Sequence, residues 1–147
     1  EERWHKAILS HTNSLGDVES LAERAQVVID ARKLTPGFVS VDDPRYLLRP
    51  EAIESIFVLY RITGDKSLQD RAWKMFSSIN AAAKTDIAFA SLLDVTAQEP
   101  KLFDSMESFW TAETLKYFYL IFSEPDLVNL DSWVLNTEAH PLRRPQD

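Results

Sequence analysis

The chain has 147 residues, 45% of them apolar, which is enough to bury the core of one domain. Its net charge of -7 offers no basic surface for a nucleic acid and suits a protein that binds cations or neutral ligands. The absence of cysteine excludes disulfides and thiolate metal sites, no apolar run approaches the roughly 18 residues of a membrane span, and the first residues do not form a signal-peptide pattern.

The first predicted helix runs over residues 17–34. Its apolar side chains recur at spacings of three and four, which is the periodicity of one helical face. Asp17 is placed to cap its start, and Pro36-Gly37 follows its end. We therefore expect one amphipathic helix here, followed by a loop.

Two further helices are predicted to form an antiparallel hairpin. Pro50 suits a first helical position because its missing N–H needs no partner there, and Gly64 is typical of a helix end. Asp65 begins the next helix, which continues to Ala83. The short Gly-Asp connection predicts that the two helices pack side by side.

The following segment, residues 87–95, fits neither helical nor strand periodicity, and we expect a loop with a possible short strand. Residues 104–107, Asp-Ser-Met-Glu, have the pattern of a capping box. The helix predicted behind it, over residues 108–122, is apolar around most of its circumference. Such a helix is expected to be buried on nearly all sides.

The tail combines apolar and polar residues in an unusual order. Trp133, Val134 and Leu135 precede the polar group Asn136-Thr137-Glu138. Chain ends are loosely ordered unless something ties them down. The apolar residues therefore predict that the tail carries Thr137 and Glu138 into the interior.

Carboxylates within these helices are the candidate functional groups. Glu51 and Glu54 lie three residues apart and project from one face of a first helical turn, where acidic residues also simply complement the helix dipole. Glu113 lies in the apolar helix, so a buried carboxylate there needs a partner or a metal. Lys116 is placed to pair with it, which leaves a structural role open.

Three long motifs carry a resemblance to a known family. They are "YLLRPEAIESIFVLYRITGD" at 46–65, "DSMESFWTAETLKYFYLIFS" at 104–123 and "LNTEAHPL" at 135–142. In this order and spacing they resemble the C-terminal part of class I alpha-mannosidases, the glycoside hydrolase family 47 enzymes that trim alpha-1,2-linked mannose from high-mannose N-glycans. The resemblance covers residues 46–142 well and the first 45 residues poorly.

The resemblance implies an all-α fold. The whole chain, residues 1–147, would be the C-terminal portion of one catalytic (α/α)7 barrel built from helical hairpins, with a short β element and a C-terminal segment plugging the barrel. It implies that the N-terminal portion, which holds the family's general acid, is absent from this chain and is its partner. It also implies the secretory pathway (endoplasmic reticulum or Golgi) or secretion.

The resemblance further implies a site for an inverting, calcium-dependent glycosidase. Glu51 matches the catalytic base, and Thr137 matches the residue whose side-chain and main-chain oxygens bind Ca²⁺. The matching substrate-binding residues are Arg49, Glu54, Phe109, Glu113 and Glu138. The alternative function is a non-hydrolytic, mannosidase-like fragment that recognises glycans or glycoproteins in quality control.

Overall fold

A computed structural model describes residues 1–12 and 21–145, and these residues are mostly helical, as predicted. Two small antiparallel sheets, each of two strands, add a minor β component. None of the helices in the described ranges is long and apolar enough to cross a membrane. The elements are α1 Glu2–His11, α2 Leu21–Arg32, α3 Glu51–Thr63, α4 Ser67–Ala83, β1 Ser91–Leu92, β2 Leu102–Phe103, a π-helical turn Trp110–Thr114, α5 Leu115–Ile121, β3 Trp133–Leu135 and β4 Pro141–Arg143.

The chain forms two compact units, and the smaller contains Glu1–Pro44 with Asp94–Glu99. Helices α1 and α2 pack there around Ile8, Ile29 and Leu34. The predicted first helix is confirmed over α2, while its Asp17 cap lies outside the described residues.

The larger unit, Arg45–Leu93 with Pro100–Asp147, contains the predicted helical hairpin. Pro50 has helical dihedral angles immediately before α3, within one residue of its predicted position. Gly64 ends α3 in the left-handed region at φ 69°, and its N–H donates to the carbonyl of Tyr60 at 2.8 Å. The Asp65 carboxylate accepts from the N–H of Ser67 at 2.9 Å. The predicted ends of α3 at Gly64 and of α4 at Ala83 are thus confirmed, while α4 begins at Ser67, two residues after the predicted Asp65.

The core of the larger unit lies between α3, α4 and α5. Phe57 and Tyr117 meet at its centre with ring centroids 5.5 Å apart. Side chains from α4 close one side of it. The buried members of the cluster are Ile53, Phe57, Ala72, Tyr117, Phe118, Leu120, Ile121 and Ala139.

The capping box predicted at residues 104–107 is wrong. The Ser105 carbonyl accepts from the N–H of Ser91 at 2.9 Å, so this segment continues the pairing of β1 with β2. Helical structure begins around Phe109, as a π-helical turn that leads into α5, so the helix predicted over residues 108–122 is confirmed in its position. Burial on nearly all sides is also wrong for this chain, because the Tyr119 side chain is 66% exposed.

The tail forms a β-hairpin from β3 and β4, with residues 136–140 as its tip. The expectation that the tail buries Thr137 and Glu138 is wrong in this chain, since both are exposed. Ala139 is the fully buried residue of the tip, at 0% exposure. The tail is therefore held against the core, as its apolar residues predicted, but the buried residue of its tip is Ala139 and not Thr137 or Glu138.

Arg61 joins the end of α3 to the segment that leads to this hairpin. Its guanidinium donates to the carbonyls of Leu120 at 3.0 Å and Leu127 at 3.1 Å, and also to that of Pro125. It lies 5.0 Å from the centroid of the Phe57 ring. One side chain therefore satisfies three main-chain acceptors beside the core.

Replacement of Arg61 by Met should lower the free energy of unfolding by about 2 kcal/mol, because charged hydrogen bonds to main-chain carbonyls are lost. Chemical denaturation measures this change. Arg71→Met on the exposed side of α4 is the control, and it should change the value by less than about 0.5 kcal/mol. Equal effects of the two substitutions would contradict the role given to Arg61.

Candidate active site

The first group of candidate residues surrounds the start of α3. Nη1 of Arg49 lies 3.5 Å from Oε1 of Glu51, and its guanidinium carbon lies 5.4 Å from the centroid of the Phe109 ring. The side chains of Arg49 and Glu51 are more than half exposed, so this ion pair adds little stability. Its effect is to bring two groups together, because Arg49 contacts both the Glu51 carboxylate and the Phe109 ring, which are far apart in sequence.

A buried hydrogen bond sets this spacing. The hydroxyl of Thr114 donates to the carbonyl of Leu48 at 2.7 Å, and both residues are fully buried. Leu48 has a positive φ of 63°, an uncommon conformation for a leucine. The hydrogen bond therefore holds the residue before Arg49 against the end of the π-helical turn.

The second group consists of two carboxylates around Tyr117. Tyr117 is 1% exposed, and its phenol lies near the carboxylates of Glu54 and Glu113. Burial, then the charges of these two carboxylates and hydrogen bonding to Glu54, raise the pKa of Tyr117 to about 12. Glu54 on α3 and Glu113 on the π-helical turn thus approach one buried phenol.

The third group is the tip of the β3–β4 hairpin. The side-chain oxygen of Asn136 accepts from the N–H groups of Glu138 at 3.0 Å and His140 at 2.8 Å. Nζ of Lys116 donates to the carbonyl of Ala139 at 2.8 Å. These bonds organise the main chain on both sides of Thr137 and attach the tip to α5.

Buried Ala139 connects the tip to the second group, because it packs in the same cluster as Phe57 and Tyr117. The structure places all the predicted residues in the larger unit, where they form three groups. They are Arg49, Glu51 and Phe109 in the first group, Glu54 and Glu113 in the second, and Thr137 and Glu138 in the third.

The expected ion pair between Glu113 and Lys116 is absent from the described residues, because Lys116 donates to Ala139 instead. Glu113 is half-buried rather than deeply buried. Sequence reasoning missed Tyr117 and the structural role of Asn136. A phenol four residues after Glu113 in an otherwise apolar helix was the available signal for Tyr117, since a buried hydroxyl needs a partner.

The oxygen groups at the tip are compatible with a hard cation. Within the described residues, no hydrogen bond occupies the hydroxyl or carbonyl oxygen of Thr137. The same ranges contain no group of three or more His, Asp or Glu side chains that could hold a metal. A cation here would therefore take few direct protein ligands and keep several waters, which Ca²⁺ tolerates.

Comparison with known proteins decides the family. The sequence model of Glycosyl hydrolase family 47 matches residues 4–144. The chain belongs to this family. The match also reaches further towards the N-terminus than the three motifs that carried the resemblance.

Several relatives in family 47 have names that describe mannosidases. The chain is 48% identical over 101 residues to mannosyl-oligosaccharide 1,2-alpha-mannosidase MNS3 of Arabidopsis thaliana, covering 68% of the chain and 16% of that protein. It is 47% identical over 103 residues to the endoplasmic reticulum mannosyl-oligosaccharide 1,2-alpha-mannosidase of Homo sapiens, covering 68% and 15%. The mannosyl-oligosaccharide 1,2-alpha-mannosidase of Candida albicans is 37% identical over 140 residues, with coverage of 87% and 25%.

A solved structure shares the fold of this part of family 47. The alpha-1,2-mannosidase from Trichoderma reesei superposes with a TM-score of 0.67 at 46% identity, over 71% of this chain and 23% of that one. The chain therefore spans about a quarter or less of the length of the relatives it matches.

Tyr117→Phe should remove one of the tyrosines that ionise near pH 12 in the alkaline titration of this family 47 chain. The folded-state pKa is about 12 against an ordinary value of 10.0, so ionisation favours unfolding as the pH rises between these values. The stability that Tyr117 contributes is thus present below pH 10 and lost towards pH 12. Tyrosinate absorbance, with denaturation at several pH values, measures both effects.

Burial also raises the pKa of Tyr46 to about 12. The wild-type chain should therefore contain two tyrosines that ionise near pH 12, and Tyr117→Phe should contain one. Exposed Tyr119 offers the matched control, since Tyr119→Phe should leave both of these tyrosines in place. Two such tyrosines remaining in Tyr117→Phe would show that the phenol is not held as the structure has it.

Proposed function

We propose that this chain forms part of a calcium-dependent, inverting glycosidase that hydrolyses terminal alpha-1,2-linked mannose from high-mannose N-glycans. The observation that carries the proposal is the contact of Arg49 with both Glu51 and Phe109, together with the approach of Glu54 on α3 and Glu113 on the π-helical turn to Tyr117. Membership of family 47 and relatives named as 1,2-alpha-mannosidases support it. The arrangement offers carboxylates, a guanidinium and a ring, which are the groups that recognise and cleave a sugar.

Glu51 is the proposed general base. In an inverting glycosidase a carboxylate takes a proton from the attacking water while a carboxylic acid on the other side protonates the leaving oxygen. The Glu51 side chain is 65% exposed and can meet a water, and Nη1 of Arg49 lies 3.5 Å from its Oε1. An ionised, accessible carboxylate is the state that a base needs.

Arg49 and Phe109 are proposed to bind the terminal mannose. The guanidinium lies over the half-buried Phe109 ring, and this contact restrains both groups. An aromatic ring can pack on the apolar face of a sugar while the guanidinium donates to its hydroxyls. Glu54 and Glu113 would accept hydrogen bonds from further hydroxyls or from bound waters.

Thr137 is the proposed Ca²⁺ ligand, through its hydroxyl and carbonyl oxygens. The nearby carboxylates, Glu138 foremost, would anchor the waters that complete the coordination. A bound Ca²⁺ would supply electrostatic stabilisation and a template for the sugar hydroxyls. The proposal is supported by the unoccupied hydrogen-bonding capacity of Thr137 in the described part of the chain.

The remainder of a family 47 domain is the proposed partner, completing an (α/α)7 barrel and supplying the general acid. The chain covers only 16% and 15% of two relatives, which supports a partner that supplies the rest of the domain. An apolar groove of about 420 Å³ between α4 and α5, where the Trp73 side chain is 58% exposed, also supports it. Exposed aromatic surface of this kind marks an interface. Its lining includes Trp73, Phe76, Leu115, Phe118, Tyr119 and Phe122.

The secretory pathway (endoplasmic reticulum or Golgi) or secretion is the proposed location. One similar human protein is named for the endoplasmic reticulum, which supports the proposal. High-mannose N-glycans are the proposed substrates, and these glycans are carried by secreted glycoproteins.

Replacement of Glu51 by Gln should lower kcat by about 100-fold or more, in enzyme that contains this chain with the rest of its domain, because the base is lost. KM should change little, since the amide keeps the shape of the side chain. Mannose release from a high-mannose oligosaccharide measures both constants. Glu124→Gln, an exposed residue of the same unit, is the control and should retain full activity.

Full kcat in Glu51→Gln would reject the assignment of the base. Glycan binding without turnover in the unmodified enzyme would instead favour the non-hydrolytic recognition function.

Thr137→Ala should weaken Ca²⁺ binding by about tenfold or more, because the hydroxyl ligand is removed while the carbonyl remains. Calorimetric titration of metal-free protein with Ca²⁺ measures the affinity. Thr137→Ser keeps the hydroxyl and is the matched control, so it should bind nearly as well as the wild type. Unchanged affinity in Thr137→Ala would remove Thr137 from the site.

A further inference from the structure

Lys116 is a cation in an acidic region, yet it forms no ion pair within the described residues. It lies on α5, three residues after Glu113, and is half-buried. The hydrogen bond that the structure gives to its ammonium group goes to the main-chain carbonyl of Ala139, at 2.8 Å. The ammonium group is therefore directed at the hairpin tip and not at a carboxylate.

Ala139 has a conformation that requires support. Its φ is 55°, in the left-handed region, which costs an alanine about 1–2 kcal/mol. It is nevertheless fully buried, in the same cluster as Phe57 and Tyr117. The bond from Lys116 to the carbonyl and the bond from the Ala139 N–H to the carbonyl of Asn136, at 2.9 Å, hold this residue from both sides.

We propose that Lys116 is a positioning residue, which places Thr137 and Glu138 by holding the main chain of the tip at Ala139. The inference rests on the proposed role of Thr137 in Ca²⁺ binding. Thr137 itself has no hydrogen bond within the described residues, so its place depends on its neighbours in the chain. Lys116 provides the side-chain bond from α5 that fixes one of those neighbours.

Because Lys116 carries a positive charge, its positioning role and a purely electrostatic role predict opposite changes in Ca²⁺ affinity. A positive charge near a Ca²⁺ site repels the ion, so removing only the charge should tighten binding. Loss of a positioning bond should do the opposite, because the ligands would no longer be held in place. The direction of the change in affinity therefore distinguishes the two roles.

The test compares Ca²⁺ affinity in wild-type enzyme and in Lys116→Met, which keeps the apolar stem without the donor. We expect the substitution to weaken Ca²⁺ binding about tenfold, as loss of a charged hydrogen bond does. Lys116→Arg keeps a donor and should recover most of the affinity. Lys74→Met on the exposed side of α4 removes the same charge elsewhere and should change nothing.

Hydrogen exchange without Ca²⁺ provides a second readout. The amides of Glu138 and His140, which donate to Asn136, should exchange faster in Lys116→Met than in the wild type. The amides in the middle of α3 should be unchanged, which separates loosening of the tip from general unfolding.

Each outcome has a distinct meaning. Unchanged or tighter Ca²⁺ binding in Lys116→Met, with slow exchange at the tip, would overturn the positioning role and leave the Ca²⁺ site intact. Wild-type enzyme that binds no Ca²⁺ would overturn the proposed metal site, and the positioning role with it. Weaker binding with faster exchange at the tip, recovered by Lys116→Arg, would establish the proposal.

Discussion

The packing of Tyr117 against Phe57 is the contact on which the arrangement of the site depends. The two rings lie 5.5 Å apart, and both residues are at most 1% exposed. The carboxylates of Glu54 and Glu113 lie near the Tyr117 phenol and contribute to its raised pKa. The apolar contact that joins α3 to α5 thereby brings together the two carboxylates that we propose to bind the sugar. Ala139 belongs to the same buried cluster and brings the hairpin tip to it.

The π-helical turn before α5 has a comparable effect on the first group of residues. A π-helical turn takes more residues per turn than an α-helix and is frequent at functional sites. Here it places Thr114 on the Leu48 carbonyl, with Phe109 immediately before the turn and Glu113 within it. The turn thus holds a ring near Arg49 and a carboxylate near Tyr117. A regular helix over the same residues would rotate one of them away.

Local sequence signals predicted α3 and α4 well, because Pro50, Gly64 and Asp65 act on their nearest neighbours. They failed at residues 104–107, where the main chain pairs with Ser91 instead of capping a helix. A local sequence pattern cannot predict a partner that lies so far away in the chain. The family resemblance indicated which residues to consider for the site. It did not predict Lys116 as the anchor of the tip, because an i, i+3 carboxylate is the nearer candidate partner in sequence.

The hairpin tip shows why burial was a poor guide to function. Ala139 and Asn136 make the contacts that hold the tip, while Thr137 and Glu138 remain exposed. In the proposed Ca²⁺ site the oxygens of Thr137 must stay free for the cation, so they cannot also make the contacts that fix the loop. The two tasks would then be divided between adjacent residues. A substitution at Thr137 would remove the proposed ligand without loosening the tip, whereas one at Ala139 would change both the loop and the proposed site.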